Sequence, residues 1–222
     1  MARLVRRLLR SLLLAVVAFY IFCIGSLFCL RSFVPITTTV QVQRRIESLL
    51  QAGDYEKRQT WLPLTAMPVH FRHAVIAAED GRFFEHDGVD WSELKKVVKD
   101  YDRGGKLRGA STISQQLVKN LFLTTHRSMI RKVLEFTLVP LAELILPKER
   151  ILALYLNVIE WGPGVYGAEA AARHHYGISV AELSREQSAR LAACIPAPRS
   201  RTPQRMNEYG ARILQRMKSR GW

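Results

Sequence analysis

The chain has 222 residues, 48% of them hydrophobic, and its 33 basic residues outnumber 19 acidic ones to give a net charge of +14. This length is sufficient for one domain with appendages. The three cysteines, Cys23, Cys29 and Cys194, offer no disulfide pair outside the N-terminal apolar segment and no metal-binding spacing such as C-x-x-C, which excludes a disulfide scaffold and a cysteine metal site.

The N-terminal segment predicts a membrane anchor. Residues 12–30 run nineteen positions without a charge, and as a helix they would span about 28 Å, the thickness of a bilayer core. A cleaved signal peptide is the alternative, but its apolar region would cover only about 7–15 residues and end in small residues. This run ends in FCLRSFVP. We therefore expect a single uncleaved anchor over residues 12–30.

The charges before the anchor predict its orientation. No acidic residue occurs before Glu47, whereas residues 1–11 contain several arginines: Arg3, Arg6, Arg7 and Arg10. Positive charge on one flank of an anchor holds that end in the cytoplasm. Residues 1–11 are thus expected to form a cytoplasmic basic tail, and the rest of the chain is expected on the outer, periplasmic face of the inner membrane.

The basic charge also extends beyond the anchor. Without the five arginines that flank the anchor, the body of the protein keeps a net charge of about +9. An anchored basic domain suits an anionic partner such as a phospholipid surface, a lipid phosphate or an acidic polymer. Nucleic acid matches the charge but not the anchor, so we expect no nucleic acid partner. A basic surface without a specific partner is the alternative.

The first part of the body predicts a connector followed by helices. Residues 31–60 begin with β-branched residues and end in a short helical pattern, as a connector would. Residues 67–84 show a helical pattern with an alanine-rich apolar side. A second helix is expected over residues 90–100, with Asp90 as its cap. The glycine-rich, basic residues 101–111 predict a mobile loop.

Helical signals continue to the end of the chain. Residues 111–122 begin with capping-box spacing between Thr112 and Gln115, and a longer helix follows from Ser128. Pro140 is expected to kink or end that helix, and the next should start at Pro147. Further signals are Gly177 at the end of a short helix, caps at Ser179 and Ser184, and a basic amphipathic tail over residues 207–222. No strand-rich region is evident, so residues 61–222 predict one mainly helical domain.

Glu79 is a candidate catalytic carboxylate. The stretch AAEDGRFFEHDGVDW places it at the end of the alanine-lined helix and before Phe83 and Phe84. Apolar surroundings raise the pKa of a carboxyl group toward neutrality, as a general acid or base requires. The alternative is a helix-end glutamate that pairs with Arg82 three positions later.

Two later segments carry polar and charged stripes. In GASTISQQLVKNLFL, Ser111, Gln115 and Lys119 recur every four residues, with Gln116 beside them, and could hydrogen-bond sugar hydroxyls and a phosphate. A capped helix with a solvated face is the alternative. In HRSMIRKVLEFTL the same spacing relates a second set, Arg127, Arg131 and Glu135, with Lys132 adjacent. An ordinary ladder of ion pairs on a solvated helix is the alternative for that set.

Taken together, the segments resemble a known family. The blocks EDGRFFEHDG, GASTISQQLVKN, RKVLE, KERILALYLN and GPGVYGAEAAARHHYG occur in this order. Over roughly residues 60–200 the chain closely resembles the monofunctional biosynthetic peptidoglycan transglycosylases, which are family 51 glycosyltransferases. Departures from the family pattern are small. Ser114 stands where many members have threonine, and the last block ends in HHYGIS where members more commonly have an aromatic residue followed by glycine.

The resemblance implies a fold and an activity. The expected fold is mainly α: a lysozyme-like helical head with a small membrane-associated jaw lobe after Gly88, on a single N-terminal transmembrane helix. The expected reaction polymerises lipid II, a polyprenyl-diphosphate-linked disaccharide pentapeptide, into β-1,4-linked glycan strands with inversion and release of polyprenyl diphosphate. Partners would be lipid II, the growing glycan and the membrane, with other wall-synthesis or division proteins left open. The loop over residues 102–111 would be a lid over the growing chain.

The resemblance also implies residue roles. Glu79 would be the general base, and Glu135 the second essential carboxylate, which orients the donor or holds a divalent cation, Mg²⁺ or Mn²⁺. The cations for the diphosphate would be Lys119, Arg127, Arg131 and Lys132, and the donor site would be lined by Ser111, Gln115 and Gln116. Structural roles are implied for Phe83, His86, Tyr155 and Asn157.

Three rival functions follow from the same residues. A hydrolase of the same polymer would also use a glutamate, but glycan cleavage has no diphosphate for a cationic cluster to stabilise. A non-enzymatic adaptor of a wall-building complex would not need Glu79. The glycosyltransferase half of a bifunctional synthase is disfavoured because the chain has no K-T-G motif of a transpeptidase.

Overall fold

The computed structural model describes residues 2–102, 104, 109 and 111–222. The described chain is mainly helical, as predicted. Its α-helices are α1 Ala2–Leu30, α2 Thr39–Leu50, α3 Val69–Glu79, α4 Trp91–Asp102, α5 Ile113–Phe122, α6 Met129–Ile145, α7 Lys148–Val158, α8 Ala168–Tyr176, α9 Arg185–Ala192 and α10 Asn207–Ser219. Three short strands are β1 Arg58–Gln59, β2 Glu160–Gly162 and β3 Val165–Tyr166. Most of the predicted lid lies outside the described residues.

Helix α1 is longer than the predicted anchor because the basic tail is helical too. Over Arg3–Leu30 it has the length and composition of a membrane-spanning helix, and its most apolar stretch of 18 residues has a mean hydropathy of 2.6. Its C-terminal half packs against α6, where Cys23 and Leu27 are fully buried. Arg150 of α7 donates to the carbonyl oxygens of Leu30 and Phe33, at 2.7 and 2.6 Å. These bonds satisfy carbonyl groups at a helix end and join α1 to the head.

Part of the predicted connector belongs to the folded body. Helix α2 begins with a capping box between Thr38 and Gln41 and packs against α5. The hydroxyl of Thr39 donates to the carbonyl oxygen of Leu121 at 2.8 Å. Strand β1 lies parallel to β3, which is antiparallel to β2, so the sheet order is β1-β3-β2. Residues 39–59 therefore contact the head at two places.

The core centres on α5. Its Leu117 and Val118 are fully buried, and α5 packs against α6 on one side and α7 on another. Helices α3, α9 and α10 form a second packed group. The C-terminal end of α3 and the N-terminal end of α5 meet between these two groups, which places Glu79 beside the first turns of α5.

Several predicted helix boundaries are confirmed by local hydrogen bonds. Thr112 and Gln115 form a capping box at the start of α5, and Ser184 caps α9 in the same way. Asp90 accepts a hydrogen bond from the backbone nitrogen of Glu93 at 2.9 Å, as a cap of α4 does. Gly177 closes α8 in the left-handed conformation, with φ of 73°. These features depend on neighbouring residues and are therefore visible in the sequence.

One predicted boundary was wrong, and Pro140, which was expected to kink or end its helix, does not end it. The helix expected over residues 67–84 ends at Glu79, and a separate turn covers Phe83–Glu85. Helix α6 continues through Pro140 to Ile145. Its neighbours Val139 and Ala142 are buried in the core on either side of the proline, whereas Pro140 itself is exposed. Tertiary packing thus holds the helix together across the backbone hydrogen bond that proline cannot make.

The predicted jaw corresponds to α4, which is loosely attached. Val97 is the only residue of α4 with a buried side chain, whereas Trp91, Val98 and Tyr101 each expose half or more of their surface. Trp91 contacts the ring of Phe136 on α6, with ring centres 6.4 Å apart. The exposed apolar side chains of α4 suit the membrane-associated lobe that the family resemblance implied.

Candidate active site

A cleft of about 1250 Å³ opens between the two helix groups. One side is formed by the end of α3, the residues before α5 and the exposed face of α5. The other side is formed by residues 195–209 and by α10. Of the residues that the sequence predicted for the site, four line this cleft: Glu79, Ser111, Gln116 and Lys119.

Asp80 fixes the two helix ends that carry the site. Its Oδ2 accepts a hydrogen bond from the backbone nitrogen of Ile113, the first residue of α5, at 3.0 Å. Its Oδ1 lies 2.9 Å from Nε2 of His86. The backbone nitrogen of Gly88 donates to Nδ1 of His86 at 3.1 Å, so Nε2 is the ring nitrogen that donates to Asp80. Asp80 is thus a structural carboxylate at the N-terminal end of a helix.

Glu79 is held by a chain of two hydrogen bonds. Nε2 of Gln116 donates to Oε2 of Glu79 at 2.6 Å. The hydroxyl of Tyr155, which is fully buried on α7, donates to Oε1 of the same amide at 3.0 Å. Tyr155 therefore holds the far end of the Gln116 amide, whose Nε2 faces the carboxylate. The sequence had suggested only a structural role for Tyr155.

Burial raises the pKa of Glu79 above its ordinary value. The hydrogen bond from Gln116 and the positive charges of Lys119 and Arg201 oppose this shift but do not cancel it. The prediction that Phe83 and Phe84 supply the apolar surroundings of Glu79 was wrong. Phe83 is buried under the ammonium group of Lys148, 4.6 Å from its ring centre, Phe84 is half-exposed, and neither lines the cleft.

Lys119 connects the cleft to a second charged cluster. On α6, Arg131 donates to Glu135 at 2.7 Å, and Lys132 donates to the other oxygen of the same carboxylate. Burial lowers the pKa of Lys119, while the charges of Glu135 and Glu79 raise it. Lys119 is thus within electrostatic range of both predicted catalytic carboxylates. Glu135 itself does not line the cleft.

Two predicted binding residues lie elsewhere. Gln115 is buried, and its side chain bonds back to Thr112 in the capping box. It therefore does not line the cleft, contrary to the prediction from the sequence. Arg127 precedes Ser128, the N-cap of α6, so it lies outside the helical face that was expected to carry it. It is exposed and has no hydrogen bond or ion pair with any described residue.

The arrangement around Glu135 does not favour direct metal binding. Both of its oxygens already accept hydrogen bonds from cationic side chains, and adjacent positive charges repel a divalent cation. No group of three metal-binding side chains (His, Cys, Asp or Glu) occurs within residues 2–102, 104, 109 and 111–222. A metal here would need most of its ligands from a bound diphosphate.

The sequence reasoning missed the arginines on the far side of the cleft. That side is lined by Arg201, Arg205, Arg212 and Arg216. A signal was available, because Glu208, Arg212, Arg216 and Arg220 recur every four residues along α10 and all line the cleft. The amphipathic pattern of the tail was visible, but it did not show what the polar face meets.

Comparisons with known proteins agree with these features. A model of the family described as transglycosylase matches residues 44–219. Curated proteins called biosynthetic peptidoglycan transglycosylase are similar to this chain. That of Pseudomonas fluorescens Pf-5 is 43% identical over 217 residues, covering 98% of this chain and 88% of its own. That of Dechloromonas aromatica is 44% identical over 188 residues, covering 82% and 81%. The matched region begins within α2, so it includes the part of the predicted connector that carries β1.

Proposed function

Because this chain belongs to the transglycosylase family, we propose that it polymerises lipid II into β-1,4-linked glycan strands and releases polyprenyl diphosphate. It is a peptidoglycan glycosyltransferase of cell wall synthesis, as its family and relatives show. The observation that carries the mechanism is a half-buried, hydrogen-bonded glutamate in a large cleft, within electrostatic range of a lysine that leads to a cationic cluster.

Glu79 acts as the general base. The acceptor is a sugar 4-hydroxyl, a weak nucleophile until its proton is removed. Oε2 of Glu79 is occupied by Gln116, whereas Oε1 has no hydrogen bond with any described residue and is available to the acceptor. A raised pKa makes this carboxylate a stronger base than an exposed glutamate. One base is sufficient, because the diphosphate leaves without needing a strong acid.

The cationic cluster stabilises the leaving group. Developing negative charge on the donor's diphosphate calls for cations that are already in position. Lys119 faces the cleft, and Arg131 and Lys132 are held by Glu135 on the adjacent helix. Glu135 thereby orients the donor through these cations. Arg127 is exposed nearby in sequence and completes the set, and Ser111 and Gln116 contact the donor sugars.

A single displacement explains the stereochemistry. The donor sugar is linked to diphosphate in the α configuration, and attack from the opposite face gives a β-glycoside, so the reaction inverts. A covalent glycosyl-enzyme would require a second carboxylate placed to attack the same carbon. Glu135 has both oxygens bonded to cations, which suits charge stabilisation rather than attack.

Helix α1 anchors the protein in the cytoplasmic membrane with its N-terminus inside and the head on the periplasmic face. The anchor packs on α6, the helix that also carries the cationic cluster. Met129 and Ile130, in the first turn of α6, expose most of their apolar surface. This end of the head therefore suits contact with the bilayer, where the lipid tail of the substrate stays. A wall-synthesis or division protein would be reached at the same membrane.

The experiment that tests this function uses the full chain in lipid vesicles with purified lipid II. We expect glycan strands and polyprenyl diphosphate to form together. Glu79→Gln should abolish both, whereas the matched variant Glu85→Gln, which removes an exposed carboxylate that does not line the cleft, should remain active. Cleavage of added glycan without polymer formation would instead support a hydrolase. Normal polymer from Glu79→Gln would refute the role of Glu79.

The same assay tests the metal. If a divalent cation is required, a chelator should stop polymer formation and added Mg²⁺ or Mn²⁺ should restore it. Because Glu135 is paired with Arg131 and Lys132, the metal affinity of the free protein should be negligible and should appear only with a diphosphate present. Tight metal binding to the free protein would contradict this assignment.

A further inference from the structure

The side of the cleft opposite α5 carries a second cationic surface, which we call the arginine wall: Arg201, Arg205, Arg212 and Arg216. None of these arginines lies within 4.0 Å of a carboxylate of the described residues. The cations around Glu135, in contrast, are already paired. The arginine wall thus supplies most of the uncompensated positive charge in the cleft.

Three of the four arginines, Arg201, Arg212 and Arg216, are held by contacts with neighbouring groups. The guanidinium groups of Arg201 and Arg212 lie 5.7 and 5.4 Å from the ring centre of Tyr209. Arg201 also donates to the carbonyl oxygen of Ala193 at 2.9 Å, and Arg216 donates to that of Ala77 at 3.3 Å. Ala77 is two residues before Glu79. The charges are therefore held in place beside the base.

The arginine wall lies away from the anchored end of the head. Helix α10 packs against α3 and α9, whereas the anchor α1 packs against α6. A lipid-linked diphosphate arrives from the membrane, where Lys119, Arg131 and Lys132 already provide cations for it. The arginine wall is therefore a separate set of cations, on segments that do not carry the cluster around Glu135, and it can meet a second anionic part of the substrate.

We propose that the arginine wall binds the carboxylates of the peptide stem of the substrate, an inference that rests on the proposed function. The stem is the part of lipid II that carries negative charge away from the diphosphate. A guanidinium group matches a carboxylate with two parallel hydrogen bonds. Four arginines, two on α10 and two in the segment before it, can meet several carboxylates spaced along a peptide. Binding there fixes the saccharide to which the stem is attached, next to Glu79.

The test compares two substrates in vesicles that contain the full-length protein: lipid II with free stem carboxylates, and lipid II with those carboxylates amidated. We expect wild-type protein to prefer the free-carboxylate substrate by about tenfold in kcat/KM, equivalent to about 1.4 kcal/mol. The double variant Arg205→Gln/Arg212→Gln should bring this preference close to one. Thermal unfolding of the double variant checks that its fold is intact.

A matched control removes the same charge elsewhere. Arg45 and Lys218 are exposed and do not line the cleft, so Arg45→Gln/Lys218→Gln should keep the wild-type preference. A wild-type preference near one, or a preference that survives in Arg205→Gln/Arg212→Gln, would overturn the inference.

A last comparison tests whether the arginine wall binds the stem carboxylates or the diphosphate. Inhibition by inorganic diphosphate should be equal in wild type and in Arg205→Gln/Arg212→Gln. Weaker inhibition in the variant with an unchanged substrate preference would assign the arginine wall to phosphate and overturn the inference. Glycan formation without any stem preference overturns this inference alone, whereas no glycan from either substrate overturns the proposed function with it.

Discussion

Nε2 of Gln116 lies 2.6 Å from Oε2 of Glu79, so an amide from one helix holds the carboxylate at the end of another. The hydroxyl of Tyr155 holds the far end of that amide at 3.0 Å. A donated hydrogen bond favours the charged form of a carboxyl group, whereas burial favours the neutral form. The basicity of Glu79 therefore reflects a balance between its burial and the orientation of Gln116.

Glu79→Gln should abolish polymerisation and stabilise the head at neutral pH. The folded-state pKa of Glu79 is raised by burial, so its ionisation costs stability. This cost is absent below the ordinary glutamate pKa near 4.5, grows as pH rises toward the folded-state pKa, and is complete above it. We expect the variant to gain about 2–4 °C in Tm at pH 8, and the gain to shrink toward pH 5. A loss of Tm at pH 8 would contradict the shift.

Tyr155→Phe should move the acid limb of the pH–rate profile to higher pH. Without the hydroxyl, Oε1 of Gln116 loses its partner, so the amide is held less firmly with Nε2 toward Glu79. The hydrogen bond that favours the charged carboxylate weakens, so the pKa of Glu79 rises further. The midpoint of the acid limb measures this directly. Tyr176→Phe, which removes a hydroxyl bonded to Gln187 outside the cleft, should leave the midpoint in place.

Lys119→Arg should extend activity to higher pH. Burial lowers the pKa of Lys119 below its ordinary value, so its charge is lost on the alkaline side of the profile. An arginine keeps its charge throughout that range. Relative to each variant's own maximum, the alkaline limb should lie at higher pH in Lys119→Arg than in wild type. An identical alkaline limb would show that another group controls it.

Gly88→Ala should destabilise the head by about 2–4 kcal/mol. Gly88 has φ of +90°, and an added Cβ would lie 2.4 Å from Cγ1 of the buried Val139 on α6. Gly177→Ala is the matched control, because its φ is also positive but no atom lies within 4 Å of an added Cβ. Chemical denaturation of both variants should show a smaller loss for Gly177→Ala. Equal losses would mean that backbone strain alone explains the effect.

Much of the helical framework could be predicted because its signals are local. The capping box of Thr112 and Gln115, the cap at Asp90 and the left-handed Gly177 each depend on residues within a few positions. Pro140 does not end α6, because the packing of Val139 and Ala142 against distant helices outweighs its local effect. The same capping box also shows a limit: a residue can fit a polar stripe by spacing and still turn inward, as Gln115 does.

The site was predicted in part. Glu79 and the charged residues of α5 and α6 were found from their order along the chain, and three of the predicted substrate-binding residues line the cleft: Ser111, Gln116 and Lys119. Tyr155 was not predicted to take part in the site, because it lies 39 positions along the chain from Gln116, whose amide its hydroxyl holds. The arginine wall was missed because nothing near it in sequence shows that α10 faces α3.

The sequence by itself determined the helical class, the apolar N-terminal helix and the family, and it predicted two principal carboxylates, because composition, periodicity and motif order are properties of the linear chain. Only the tertiary structure decided which side chains share the cleft, which way Gln116 presents its amide and how far the pKa of Glu79 departs from that of a free glutamate. Those properties depend on burial and on distances between residues far apart in the chain, and neither exists until the helices pack.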